Sequence, residues 1–190
     1  MIVIRNETAL DIPAREVLLD RALPGRHLKT CEKLRRGRRP AEGLAFSATK
    51  GDQLVGTVRL WHIDAGAAGA SLLLGPIGVL PEFHGLGIGT MLMDHALAEA
   101  SAMGHRSVIL VGDAPYYERF GFSAAPTSSL ALPGPVERDR FLGLELVPGA
   151  LTGATGMVVA GGEVPEGDRR GSFIPANKNH ESETSRRIAA

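Results

Sequence analysis

The stretch SLLLGPIGVLPEFHGLGIGT, residues 71–90, joins a run of apolar residues to a cluster of glycines at the mouth of a helix. Residues 71–80 are almost wholly apolar, as a strand covered on both faces is. Gly75-Pro76 interrupts the run. Proline has no N–H to give to a ladder, so the strand must bulge there or part from a neighbour. Gly85, Gly87 and Gly89 then stand at alternate positions before a helix-like run from Ile88. Glycines placed after a strand and at a helix start let the backbone approach a ligand, and the free N–H groups attract anionic oxygens. A tight turn whose glycines serve packing alone uses the same residues. The spacing excludes two phosphate loops. A P-loop needs Gly-Lys before its Ser or Thr, whereas Gly89 directly precedes Thr90; a dinucleotide loop needs GxGxxG early in a βαβ unit, whereas this is GxGxG in mid-chain.

Toward the N-terminus, the pattern predicts a short strand at residues 2–5 and a helix over 11–23, with Asp11 as its cap and Pro13 in its first turn. A second helix is expected over 29–37, then a hairpin of strands 43–50 and 53–63 around Gly51-Asp52. Toward the C-terminus, a helix over 88–104 stops at Gly104 and a buried strand follows at 107–112. One or two helical turns are expected over 115–121, a strand over 141–151 and a short one over 157–160. Strand, helix, strand in that order sets 71–80 and 107–112 parallel, with a right-handed crossover. The expected fold class is α/β (α+β). From residue 161 onward glycine, proline, serine and charge take over, so the expected organisation is a domain of residues 1–160 and a flexible tail of 161–190.

The 190 residues are 44% hydrophobic and 22% charged, the composition of one globular domain. Lys plus Arg and Asp plus Glu both number 21. No global field then draws the chain to nucleic acid or an anionic membrane, and any anion must be held locally. One cysteine, Cys31, excludes an internal disulfide framework, and no Cys/His spacing suits a structural zinc. Met1-Ile-Val-Ile-Arg lacks the pattern of an export signal and no apolar stretch reaches membrane-spanning length, so a cytoplasmic location is expected. Asn6-Glu7-Thr8 is read as a chance sequon on the same ground.

Within this frame, His84-Gly85-Leu86-Gly87-Ile88-Gly89 resembles the acyl-CoA loop of the GNAT superfamily of N-acetyltransferases. It matches the Gly-x-Gly half of that signature and carries His84 where the family has Arg or Gln. VGDAPYYERFGF, residues 111–122, resembles the family's Tyr-x-x-x-Gly-Phe segment. The resemblance covers about Ile2 to Leu146 and implies a mixed, mostly antiparallel sheet with a splayed parallel strand pair, flanked by helices. It implies acetyl transfer from acetyl-CoA to a primary amine in a ternary complex, without a metal. Loop amides of Leu86, Gly87, Ile88, Gly89 and Thr90, beside His84 and Gly85, would cradle the CoA pyrophosphate. Ile77, Gly78 and Val79 would pair with the pantetheine arm. Tyr117 matches the family's general acid, with Tyr116 as fallback, and Val79 N–H is the candidate oxyanion donor. The strand before the loop offers no carboxylate, so the base stays open among His62, Asp64, Glu32 and water. Cys31 reads as a buried inert thiol. The basic run RRGRR, residues 35–39, reads as a solvated face or as a contact to a CoA phosphate or an acidic acceptor. The acceptor itself, small molecule or protein, is not encoded in any motif, and dimers are common in the family. A non-catalytic acyl-CoA-binding module of the same fold is the alternative.

Overall fold

The computed structural model describes residues 1–164. The apolar runs become strands β1 (Ile2–Asn6), β2 (Ala45–Lys50), β3 (Gln53–Ala65), β4 (Ala70–Val79), β5 (Ser107–Val111), β6 (Leu130–Ala131), β7 (Phe141–Glu145) and β8 (Gly156–Ala160). Four α-helices accompany them among the described residues: α1 (Ile12–Ala22), α2 (Glu32–Arg35), α3 (Ile88–Ala102) and α4 (Ala114–Tyr117). The strands lie in the order β1-β2-β3-β4-β5-β7, with β8 pairing both the end of β3 and β6. Pairing is antiparallel except in β4-β5 and β6-β8. This is the mixed, mostly antiparallel sheet with a parallel central pair and flanking helices that the chain was expected to form.

Two glycines admit the helices to the two faces of this sheet. A Cβ on Gly78 would lie 3.1 Å from Leu19 and 3.3 Å from Leu18 and Ala22, so α1 rests directly on β4. On the opposite face, a Cβ on Gly56 would lie 3.0 Å from both Ile88 and Leu92 of α3. Ile88, Leu92, Met93, Ala96 and Ala100 form the buried stripe of α3, at helical spacing. Each large side chain in it contributes roughly 1.5–3 kcal/mol by leaving water. Half-buried Glu7 accepts from Arg15 of α1 at 2.6 Å and also pairs with Arg59 of β3, which pins α1 over the sheet.

Several local expectations are corrected by side-chain chemistry. Asp11 stands at the N-cap position of α1, but its side chain makes no capping bond; the carboxylate turns back to Arg5 at 2.6 and 2.7 Å and to the Thr8 N–H at 2.8 Å. The helix expected over 29–37 is one turn, because Lys29 is extended and Gly37 is left-handed with φ 66°. That segment is instead held by Thr30 Oγ1 and Lys33 Nζ, which donate to the carbonyls of Pro135 and Pro133. The strand expected over 141–151 ends at Glu145, whose carboxylate accepts the N–H groups of Gly149 and Leu151 and folds the chain into a turn. The tail expected from residue 161 lies outside the described residues except for 161–164. There, Gly161 N–H donates to His62 O and Arg39 N–H to Glu163 O, so packing continues past residue 160.

Candidate active site

The two central strands part where the sequence breaks. β4 and β5 pair only at Leu72↔Val108 and Leu73↔Ile109. Against β3, the register passes from Leu60↔Leu74 to Val58↔Ile77, two steps on β3 for three on β4, so Gly75-Pro76 carries the extra residue. The Trp61 indole N–H donates to Gly75 O at 2.5 Å and holds the kink to the sheet. Further along, Leu80 N–H is spent on Val55 O. Backbone direction alternates along a strand, so Gly78 also faces β3, while Ile77 and Val79 turn their N–H and C=O groups to the open edge. All three strand residues expected to pair with pantetheine line the cavity beside this edge, and Gly78 is also the flat seat for α1.

The glycine loop follows at the end of this edge. Gly85 and Gly87 have φ of 79° and 74°, and no atom lies within 4 Å of a Cβ built on either. Their conformation demands glycine, and packing does not. Met91 N–H to Gly87 O, 3.0 Å, is the first bond of α3, so the amides of Ile88, Gly89 and Thr90 precede the helical ladder. They border a cavity of about 500 Å³ that Ile77, Val79, His84 and Gly85 also line. Leu86 alone of the expected loop residues is not on its wall, and it is 58% exposed. His84 places Nε2 3.0 Å from Val79 O, so this departure from the family pattern clamps the loop to the strand end. Arg119, which no motif singled out, supplies a cation to the same cavity. Its Nε donates to Tyr116 O at 2.9 Å and its guanidinium lies 4.2 Å from the Tyr116 ring centroid. Its place inside the Tyr-x-x-x-Gly-Phe segment was the available signal.

The adjacent tyrosines divide the site between them. Tyr116 lies over the loop, where a Cβ on Gly89 would come within 2.9 Å of its hydroxyl. Tyr117 packs its ring edge on Gly112, where a Cβ would meet it at 2.1 Å, and lines a second cavity of about 680 Å³. Burial, then the neighbouring Tyr116, pushes the Tyr117 phenol up to about 12. Burial also raises Tyr116. Both are protonated at neutral pH. The second cavity is walled by the kink at Gly75-Pro76 and by Cys31 and Arg35, and it meets the first at Leu23, Ile77 and Tyr116.

The candidate bases fare differently. His62 and Asp64 lie at the far end of the long β3, where Asp64 pairs with Val159, and the His62 ring sits 5.5 Å from His105. Neither lines either of these two cavities. Glu32 is tied to Arg35 at 3.2 Å and does not line the second cavity. Burial pushes the Cys31 thiol up, so it is protonated and a poor nucleophile at neutral pH. Among the described residues no three His, Cys, Asp or Glu side chains gather to hold a metal, and no helix is long and apolar enough to cross a membrane.

Residues 14–122 match the sequence model of the acetyltransferase (GNAT) family. The chain belongs to the GNAT family. This GNAT protein is 28% identical over 158 residues to the uncharacterized N-acetyltransferase YhbS of Escherichia coli K12, across 82% of this chain and 94% of that one. The crystal structure of E. coli YhbS in complex with CoA superposes with a TM-score of 0.72 at 27% identity, covering 84% of this chain and 89% of the other. A GNAT family acetyltransferase from Brucella melitensis, solved with acetyl-CoA, gives 0.57 at 27% identity over 76% and 96%. Membership in this family, with relatives that hold CoA or acetyl-CoA, supports acyl-CoA-dependent acetyl transfer as the general activity.

Proposed function

We propose that this protein moves the acetyl group of acetyl-CoA to a primary amine by direct attack within a ternary complex. The observation that carries this reading is the parted β4-β5 edge, with one cavity at the loop and a second at the kink, meeting at Ile77 and Tyr116. The CoA pyrophosphate sits on the amides of Gly87 to Thr90 with Arg119 beside it, and the pantetheine arm lies along the open edge of β4. The amine enters through the second cavity. β4 presents Leu74, Gly75, Pro76 and Ile77 there, so the ammonium form gives its proton to water before attack. As the C–N bond forms, Val79 N–H receives the developing oxyanion; its own carbonyl is occupied by His84. The C–S bond then breaks and Tyr117 donates its proton to the departing thiolate. Burial pushes the Tyr117 phenol up to about 12, so at neutral pH it holds the proton that the thiolate needs. The cytoplasm, which supplies acetyl-CoA, is the proposed compartment.

Release of free CoA thiol in the presence of a broad amine panel tests the reading, alongside calorimetric titration of acetyl-CoA. Amine-dependent thiol release is the expected result. Tight acetyl-CoA binding with no stimulation by any amine would assign the chain to acyl-CoA binding without turnover.

A further inference from the structure

Of the basic run at residues 35–39, the fold carries Arg35 inward. It is 8% exposed, lies on α2 and lines the second cavity. Nη2 makes one hydrogen bond, to Glu32 at 3.2 Å. Nε is the sole buried side-chain nitrogen or oxygen without a partner among the described residues. Among the described residues Nη1 has no hydrogen-bond partner, and it lies 3.4 Å from where a Cβ on Gly75 would stand, against the kink. A guanidinium has five N–H donors and keeps its charge, so a buried one normally has them filled. Here the cation is under-satisfied in the wall of the second cavity, with Nη1 against the Gly75 kink.

The other charges on the wall do not share this state. Arg26 is consumed by Asp20 at 2.9 Å and by Glu16. Arg140, Asp113 and Glu137 are exposed at the mouth, as is Lys29. The remaining surface is largely apolar, from Leu23, Leu74, Ile77, Val111 and Val136.

We propose that Arg35 receives a carboxylate on the acceptor, which makes the substrate class a primary amine that also carries a carboxylate and an apolar body: an amino-acid-like amine. The cavity that Arg35 lines meets the loop cavity at Ile77 and Tyr116, so an acceptor held at Arg35 by its carboxylate lies in the space that leads to the thioester. A polycationic amine would bring its second charge against a buried guanidinium. Arg35 is thus a specificity residue, acting on the acceptor and leaving CoA alone.

The name "acceptor" rests on the transferase reading, so binding and turnover are measured separately on the full chain. Calorimetry of the CoA-saturated protein compares N-acetyl-L-leucine with N-acetyl-L-leucinamide. Thiol release compares the common L-amino acids with their C-terminal amides and with spermidine. The carboxylate probes should win by about 10- to 100-fold in Kd and in kcat/KM. Arg35→Met should bring the carboxylate-to-amide ratio near one with the acetyl-CoA Kd unchanged, and Arg35→Lys should restore part of it. Amides or spermidine preferred in the wild type, no binding of either leucine probe, or a ratio unmoved in Arg35→Met would each overturn the assignment. Carboxylate-selective binding without thiol release would keep the anion site and sink the transferase reading; equal turnover of acids and amides would do the reverse.

Discussion

Gly87→Asp separates the loop's role in binding from its role in folding. Gly87 has φ 74° and no atom within 4 Å of the position a Cβ would take, so a new side chain meets open space at the mouth of α3. Aspartate tolerates the left-handed region better than most residues, and the backbone cost relative to glycine is about 1–2 kcal/mol. For a chain of this size that lowers Tm by about 2–8 °C, which leaves the protein folded. Binding should suffer far more. A carboxylate about 5 Å from one phosphate charge, at an effective dielectric of 20, costs about 3 kcal/mol, and solvent at the open loop screens the second charge. A cost of about 3–4 kcal/mol corresponds to a Kd for CoA raised roughly 10²- to 10³-fold. Gly87→Asn is the control: it has the same shape and the same backbone demand without the charge, and should weaken CoA by less than about tenfold. Isothermal calorimetry reads both constants and circular dichroism reads both melting curves. If the two variants bind CoA within about threefold of each other, charge repulsion is not the cause and the pyrophosphate does not sit on this loop.

Tyr117→Phe should lower kcat by about 10²-fold or more and leave the acetyl-CoA Kd within about twofold; wild-type turnover would remove Tyr117 from the mechanism. The active form is the protonated phenol, so activity dependent on it is lost only as pH rises through about 12. A basic limb below pH 10 that disappears in Tyr117→Phe would contradict the burial argument. Asp11→Asn tests a stabilising contact away from the site, since the Arg5 guanidinium holds the Asp11 carboxyl well below the usual carboxylate range. A depressed acid contributes its stability above the unfolded pKa of about 3.9 and loses it as pH falls toward the folded value. The urea-midpoint gap between wild type and variant should therefore be constant from pH 8 to 5 and narrow below about pH 4. A gap unchanged at pH 3 would refute the pairing.

Local demands were legible in the chain itself. Pro76 cannot donate to a ladder, so the break in β4 could be placed before any neighbour was known. Gly85 and Gly87 adopt the conformation that only glycine takes cheaply, and the apolar run from Ile88 dictated a buried helix stripe. With the Tyr-x-x-x-Gly-Phe segment, these features sufficed for the family and for the parallel strand pair. Which side chain faces which cavity was decided elsewhere. Tyr116 and Tyr117 are separated because Gly89 accepts one ring and Gly112 the other, and those glycines lie on different elements. His84 became a clamp because the loop folds back onto the Val79 carbonyl, and His62 and Asp64 left the site because β3 continues past it to meet β8. Arg35 looked like one charge in a solvated run of four. It turned inward because α2 is cut to a single turn, held by the carbonyls of Pro133 and Pro135 a hundred residues away. Dihedral preference and hydrophobic period act between near neighbours and are written in the sequence; burial of a charge depends on packing between distant segments, which exists only in the folded chain.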